Sequence, residues 1–304
     1  MNGALSDVLK QRNIPFYRDV LTATLCSFHI GGPAALVIEP QCGNELVDAV
    51  RLCREYGVPF SVIGKGTNIL FDDGEIHTAL IRTTALNAVR FDENEVRADC
   101  GVSLVRLAFL AAARDRADLA FAAGIPGTVG GAVFMNAGAN GACVGDLVKS
   151  VRVYDPQSDK IKTLFVDELN YSYRKSIFQE NHDVILSATL RVANRAPREE
   201  VLSNMRAFNL HRSRTQPCHL PSAGSVFRRP RPDVAISRII DELGLKGLRV
   251  GGAVVSHVHA GFIVNDGNAT AADVKALMEA LQNIMEKERG IRPIPEVRFI
   301  PEQV

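Results

Sequence analysis

Two glycine-dense segments are the first places in this chain where residue type and spacing point to chemistry. Gly64-Lys65-Gly66-Thr67-Asn68 directly follows a predicted strand. Glycines let a backbone turn tightly and aim consecutive N–H groups at a phosphate as a nest. The next residues, Ile69-Leu70-Phe71-Asp72, do not open an amphipathic helix, so this is not the G-x-G-x-x-G dinucleotide fingerprint. An ordinary turn is the competing reading. The second segment, Gly124 to Gly145, holds seven glycines in 22 residues with no regular period, which argues against a repeat or a helix face. Such density costs chain entropy and usually marks a backbone in close contact with something. A pyrophosphate-bearing cofactor is the natural candidate, and a loop-rich structural segment is the competing reading.

Arginines form a third feature. Arg206, Arg212, Arg214, Arg228, Arg229 and Arg231 fall within 26 residues, and no acid lies between Val201 and Pro232. Arginine forks suit phosphate and carboxylate oxygens. RNA is the competing ligand, but only Phe208 and Phe227 offer stacking surfaces there. A solvated charged face is the bland alternative. Ser222-Ala223-Gly224-Ser225-Val226-Phe227 does not fit the G-x-S-x-G frame of a nucleophilic-serine hydrolase. His257 and His259 have metal-pair spacing without a third-ligand cluster, so a substrate or structural contact is expected and no metal.

The elements that must position these residues begin with β-α-β. Strand Ala34–Ile38 leads to a helix capped by Asn44, carrying Leu46, Val47, Val50 and Leu52 and stopped at Gly57, then to strand Phe60–Ile63. A parallel pair is the expected outcome. Short strands follow at Ala79–Ile81, Ala88–Phe91 and Val96–Ala98, a helix at Leu104–Ala113, and strands at Val151–Tyr154 and Val184–Val192. After a helix at Glu199–Asn209, the segment 210–232 is proline-rich and lacks a long periodic stretch, placing a boundary near 205. Beyond it are helix Val234–Leu243, strand Gly261–Val264, helix Ala271–Glu288 capped by Thr270, and strand Glu296–Ile300.

A length of 304 residues suits two or three packed subdomains. With 46% apolar and 23% charged residues the chain is of ordinary globular composition, which excludes disordered and collagen-like classes. A net charge of +1 gives no overall attraction to nucleic acid or membrane. No apolar run approaches the roughly 18–20 residues of a membrane span, and Met1–Lys10 lacks a signal-peptide pattern, so a cytoplasmic location is expected. The six cysteines (Cys26, Cys42, Cys53, Cys100, Cys143 and Cys218) include no C-x-x-C pair and are expected to be buried free thiols.

Together these segments resemble the UDP-N-acetylenolpyruvoylglucosamine reductase family in its shorter form. The resemblance runs from about Ser27 to Glu302. It rests on Phe28-His29-Ile30-Gly31-Gly32-Pro33-Ala34, the two glycine segments, Tyr173-Arg174-Lys175-Ser176-Ile177-Phe178, Gln216-Pro217, Pro221–Phe227, His259 to Asn265, and Pro295-Glu296-Val297-Arg298, all in family order.

The resemblance implies an α+β protein: a two-subdomain FAD-binding fold of the vanillyl-alcohol-oxidase/PCMH type plus a C-terminal α+β substrate-binding domain. The implied divisions are 1–85, 86–204 and 205–304, the last ending in a strand that carries the catalytic glutamate. It implies non-covalent FAD, NADPH as reductant and UDP-N-acetylglucosamine enolpyruvate as substrate, in a ping-pong scheme of peptidoglycan precursor synthesis. A monomer without nucleic-acid or membrane partners is expected. An oxidase or dehydrogenase on the same fold is the alternative; the Gly64–Asn68 loop has no histidine for covalent flavin attachment.

The resemblance assigns cofactor contacts to Gly64, Lys65, Gly66, Thr67, Asn68, Gly124, Ile125, Pro126, Gly127, Thr128, Gly130, Gly131, Ala132, Asn136 and Gly138. It assigns substrate contacts to Tyr173, Arg212, Gln216, Arg228, Arg229 and His259. Arg174, Ser225 and Glu296 are implied to be catalytic. Hydride addition to an alkene conjugated to a carboxylate spreads negative charge onto the carboxylate oxygens, where a fixed cation such as Arg174 lowers the barrier. Glu296 would serve best protonated, because a second anion opposes that charge. Ser225 would donate the proton that completes the reduction. Ala120, Asn140, Arg229 and Lys65 depart from the residues usual at their positions in the family.

Overall fold

The computed structural model describes residues 2–231 and 233–301; Met1, Pro232 and Glu302–Val304 lie outside the described residues. Two units compose the chain. Unit 1 takes the residues up to Arg18, Leu36–Lys65 and Ala79–His211, and unit 2 takes Asp19–Ala35, Gly66–Thr78 and the residues from Arg212.

Unit 1 holds two sheets. In the first, Ala79–Arg82 lies between Val37–Ile38 and Phe60–Ile63 and runs parallel to both, with Phe16–Tyr17 at the edge. The expected direct pair of the first β-α-β is therefore split by a third strand. Ala79, Leu80 and Ile81 are all 0% exposed, and a run that apolar on both faces takes the centre of a parallel sheet. The strand expected at Ala34–Ile38 is broken into Pro33–Ala34 and Val37–Ile38. The crossover helix, Gly43–Glu55, buries Leu46, Val47, Ala49, Val50, Leu52 and Cys53. Its N-cap is Cys42, not Asn44, which lies inside the first turn; Glu45 reaches back instead and accepts the Gln41 N–H at 2.8 Å. Gly57 ends it at φ +64°. An additional helix, Asn2–Gln11, inserts Leu5 and Leu9 into the core.

The second sheet is antiparallel throughout, in the order Lys160–Phe165, Val148–Asp155, Val184–Arg191, Glu95–Asp99, Val89–Phe91. Helix Leu104–Ala112 is capped by Ser103. Inside the glycine segment, where no helix face was expected, Val129–Phe134 forms a short helix. Glycine weakens a helix by about 1 kcal/mol relative to alanine, yet a Cβ on Gly130 would lie 2.9 Å from that of Cys100. Close packing on the Glu95–Asp99 strand end, together with the Thr128 cap, overrides propensity here.

Unit 2 contains an antiparallel sheet in the order Ser222–Ser225, Phe262–Asn265, Ala253–Val255, Arg249–Val250. Helix Ala271–Arg289 starts at a reciprocal capping box: Thr270 Oγ1 accepts the Asp273 N–H and Asp273 accepts the Thr270 N–H, both at 3.0 Å. A parallel pair joins Arg298–Ile300 to Ile69–Phe71. The C-terminal strand is thus shorter than expected, and Glu296 precedes it. Helix Arg198–Thr215 continues past Asn209, and the chain passes from unit 1 to unit 2 within it, between His211 and Arg212. We propose the division at 85/86 and 204/205 on the separate sheets of unit 1, which fit its first boundary; Asp19–Ala35 and Gly66–Thr78 nevertheless belong to unit 2, and its second boundary falls inside helix Arg198–Thr215.

All six cysteines are free. Burial pushes the Cys53 and Cys100 thiols up to about 12. Cys42 and Cys218 are exposed, which corrects the expectation that all are buried. Among the described residues, no helix is long and apolar enough to cross a membrane.

Candidate active site

Gly64 and Lys65, the start of the first glycine segment, meet the second segment inside unit 1. A Cβ on Gly64 would lie 2.4 Å from Thr128 Oγ1, so any side chain there forces Thr128 or the loop to shift. Gly127 has φ +125°, a region that L side chains avoid. Among the described residues, the N–H groups of Gly64, Lys65, Gly127 and Thr128 have no hydrogen-bond partner. Gly66 belongs to unit 2, where φ is +63° and a Cβ would lie 2.3 Å from the Leu25 carbonyl oxygen.

Other residues of the second segment use their donors within the fold. Ile125 N–H bonds Ala122, Gly130 bonds Cys100, Gly131 bonds Thr128 Oγ1 and Ala132 bonds the Thr128 carbonyl. Gly124 closes a short 3-10 turn, Ala120–Gly124, and Pro126 is exposed. Gly138 starts the Gly138–Ala139/Ala142–Cys143 hairpin, where a Cβ would lie 2.7 Å from the Ala142 carbonyl oxygen. Asn140 and Gly141, at φ +55° and +85°, form its turn. Asn-Gly suits that two-residue turn, which gives the Asn140 departure a structural reason.

Arg174 sits in a turn of unit 1 that Ser172 and Lys175 close by exchanging backbone hydrogen bonds at 3.2 and 3.1 Å. Its φ is +56°, a conformation costing on the order of 1 kcal/mol that persists only where surroundings enforce it. The guanidinium donates to the carbonyls of Asn136 at 3.4 Å and Gly138 at 3.2 Å, and lies 5.4 Å from the centre of the exposed Tyr173 ring. Asn136 holds this turn. It is 6% exposed; its Nδ2 donates to the Ser172 carbonyl and its Oδ1 accepts the Gly145 N–H, both at 2.9 Å.

In unit 2 the structure brings Ser225 and Glu296 onto paired segments. Glu296 N–H donates to the carbonyl of Val226, the residue after Ser225, at 2.8 Å. Phe227 bridges Pro295, and Arg228 N–H donates to Ile294 at 2.9 Å. Gly224, at φ +80°, lies within the irregularity between Ser222 and Ser225, where a bulge can re-aim a side chain. The Ser225 hydroxyl has no hydrogen-bond partner among the described residues. Glu296 is 9% exposed. Asn68 Nδ2 donates to its carbonyl at 3.0 Å, a role the motif alone did not disclose.

The remaining residues of interest also lie in unit 2. Arg212 is in the last turn of its helix, and its carbonyl accepts the Gln216 N–H at 2.9 Å. The side-chain oxygen of Gln216 is buried without a donor, an arrangement that costs about 1–3 kcal/mol unless a ligand N–H or O–H satisfies it. Arg228 is half-buried and Arg229 exposed. His259 Nδ1 accepts the Gly261 N–H at 3.1 Å, which places the proton of the neutral ring on Nε2. Burial pushes its pKa below the ordinary value. Among the described residues, no group of three or more His, Cys, Asp or Glu side chains could hold a metal ion.

Residues 216–300 match the C-terminal domain of UDP-N-acetylenolpyruvoylglucosamine reductase, and residues 34–163 match a FAD binding domain. The chain is 36% identical over 299 residues to the UDP-N-acetylenolpyruvoylglucosamine reductase of Caldanaerobacter subterraneus subsp. tengcongensis, covering 98% of this chain and 97% of that one. The chain belongs to this reductase family. The enzyme of the same name from Petrotoga mobilis is 40% identical over 270 residues, covering 87% and 88% of the two chains. The crystal structure of the reductase (MurB) from Thermus caldophilus superposes with a TM-score of 0.80 at 30% identity, covering 94% of this chain and 99% of that one.

Family membership calls for FAD, and the residues present fit it. The unpartnered N–H groups of Gly64, Lys65, Gly127 and Thr128 are donors of the kind a diphosphate needs, on backbone where a Cβ at Gly64 would press on Thr128.

Proposed function

We propose that this family member reduces the enolpyruvyl ether of UDP-N-acetylglucosamine enolpyruvate to UDP-N-acetylmuramate, with NADPH as the source of electrons. The near full-length match to reductases of this name carries the reading. The N–H groups of Gly64, Lys65, Gly127 and Thr128 would hold the diphosphate of FAD, which when bound would supply the hydride-transfer chemistry.

The chain's own side chains handle the charge and the proton. Arg174 presents its guanidinium to the substrate carboxylate, where negative charge develops. Ser225 Oγ donates a proton to the carbon next to that carboxylate, so hydride and proton together saturate the double bond. Glu296, mostly removed from water, acts in its protonated form, because an anion there would oppose the developing charge. Arg212, Arg228 and Arg229 supply cationic forks for the nucleotide diphosphate. His259 offers a neutral Nε2–H donor, and Gln216 an acceptor. Tyr173 flanks the arginine. We extend the reading to a cytoplasmic monomer, since the substrate is a nucleotide sugar and the chain's net charge of +1 draws it to neither nucleic acid nor membrane.

Incubation with NADPH and UDP-N-acetylglucosamine enolpyruvate, followed by mass spectrometry, tests the reading. A product heavier by two hydrogens supports it. Unchanged substrate beside consumed NADPH contradicts it.

A further inference from the structure

One amide ties the glycine-rich segment to the turn that carries Arg174. Helix Val129–Phe134 begins at Thr128 and ends at Phe134, whose carbonyl accepts Ser176 Oγ–H at 2.6 Å and Gln179 Nε2–H at 3.0 Å. The same Nε2 donates to the main-chain carbonyl of Arg174 at 2.9 Å. Through this amide nitrogen, which also lies 3.9 Å from the Met135 sulfur, Gln179 donates to both carbonyl oxygens. The Arg174 carbonyl belongs to a residue held at φ +56°, where the backbone's own preference works against the observed turn.

We propose that Gln179 is a positioning residue for Arg174. It fixes the left-handed turn against the end of helix Val129–Phe134, and so sets where the guanidinium stands relative to the cofactor loop at the start of that helix. The proposal rests on the catalytic reading of Arg174 above. Misplacing a reacting group by about 1 Å costs on the order of 10²-fold in rate, so the tether has a kinetic signature that a space-filling role lacks.

Three variants test it, with the two half-reactions followed separately by stopped-flow flavin absorbance. Gln179→Glu keeps the shape, removes both donors and faces two carbonyl oxygens with a carboxylate. Gln179→Lys keeps a multiple donor at similar reach. Arg174→Ala removes the group acted upon. Flavin content and melting temperature check folding; if Gln179→Glu loses flavin, Gln179→Met, also without a donor, takes its place.

Gln179→Glu is expected to slow reoxidation by substrate on the order of 10²-fold, and Gln179→Lys to restore most of the rate. Gln179→Glu is expected to add little loss in the Arg174→Ala background, because it acts through the missing group. A wild-type rate in Gln179→Glu, an equal loss in Gln179→Lys, or losses that multiply in the double variant would each overturn the proposal. A wild-type rate in Arg174→Ala alone would overturn the catalytic reading of Arg174, and the proposal with it.

Discussion

Asn68 donates its Nδ2–H to the main-chain carbonyl of Glu296 at 3.0 Å and accepts the Arg298 N–H on its own carbonyl at the same distance. These bonds carry the pairing of Ile69–Phe71 with Arg298–Ile300 back past the strand end, to the residue proposed to act as an acid. The last residue of the first glycine loop therefore holds Glu296. Asn68→Ala is expected to lower stability by about 1–3 kcal/mol, the cost of leaving a part-buried carbonyl without its donor. Asn68→Asp, equal in size but lacking the donor, should lose at least as much. Urea midpoints measure both, and a stable Asn68→Asp would show that the bond is dispensable.

Gly64 touches Thr128 Oγ1 so closely that a methyl group must displace one loop from the other. Gly64→Ala is expected to cost about 1–3 kcal/mol through overpacking and to purify with less flavin. Adding Thr128→Ala removes the nearest atom, so the double variant should recover part of the loss. Flavin absorbance per protein and thermal melting report both effects. Simple additivity would place the origin elsewhere.

Ser225 and Arg174 act in the second half-reaction in this account. Ser225→Ala is expected to leave reduction of the flavin by NADPH intact and to slow reoxidation by substrate about 10²–10⁴-fold, the range of a positioned proton donor. Equal slowing of both half-reactions, seen by stopped-flow, would remove Ser225 as the specific donor.

His259 predicts a pH dependence of stability. Burial favours its neutral form, so its folded pKa lies below the ordinary 6.5. As pH falls below that ordinary value, the unfolded chain takes up the proton before the folded one, and stability drops until the folded pKa is passed. Above it, this group contributes no slope. His259→Asn keeps an acceptor near the Gly261 N–H without the titration, and should flatten the loss of stability as pH falls below the ordinary histidine value in denaturant midpoints. An unchanged slope would assign the acid sensitivity to other groups.

Local signals were legible in the chain, and non-local ones were not. Thr270 with Asp273, and Gly57 at a helix end, announce their elements because capping chemistry lies within four residues of the boundary. Ala79–Arg82 reads as a strand, but its place between two others depends on residues far away in sequence. Helix Arg198–Thr215 runs past the expected end at Asn209, because only Val201 and Met205 are buried on it and no apolar period marks its last turns. The glycine loops, Arg174, Ser225 and Glu296 stand out by motif. The bonds that hold them, from Asn68, Asn136, Ser176 and Gln179, run from side chain to main chain and leave no periodic trace in the sequence.

We propose that this chain passes electrons from NADPH to an enolpyruvyl sugar nucleotide. An anaerobic absorbance spectrum of the purified protein tests it most directly, first with NADPH and then with UDP-N-acetylglucosamine enolpyruvate. The expected result is a yellow flavin that bleaches with NADPH and regains its colour on adding the substrate. A flavin that bleaches and stays reduced with the substrate present would contradict it.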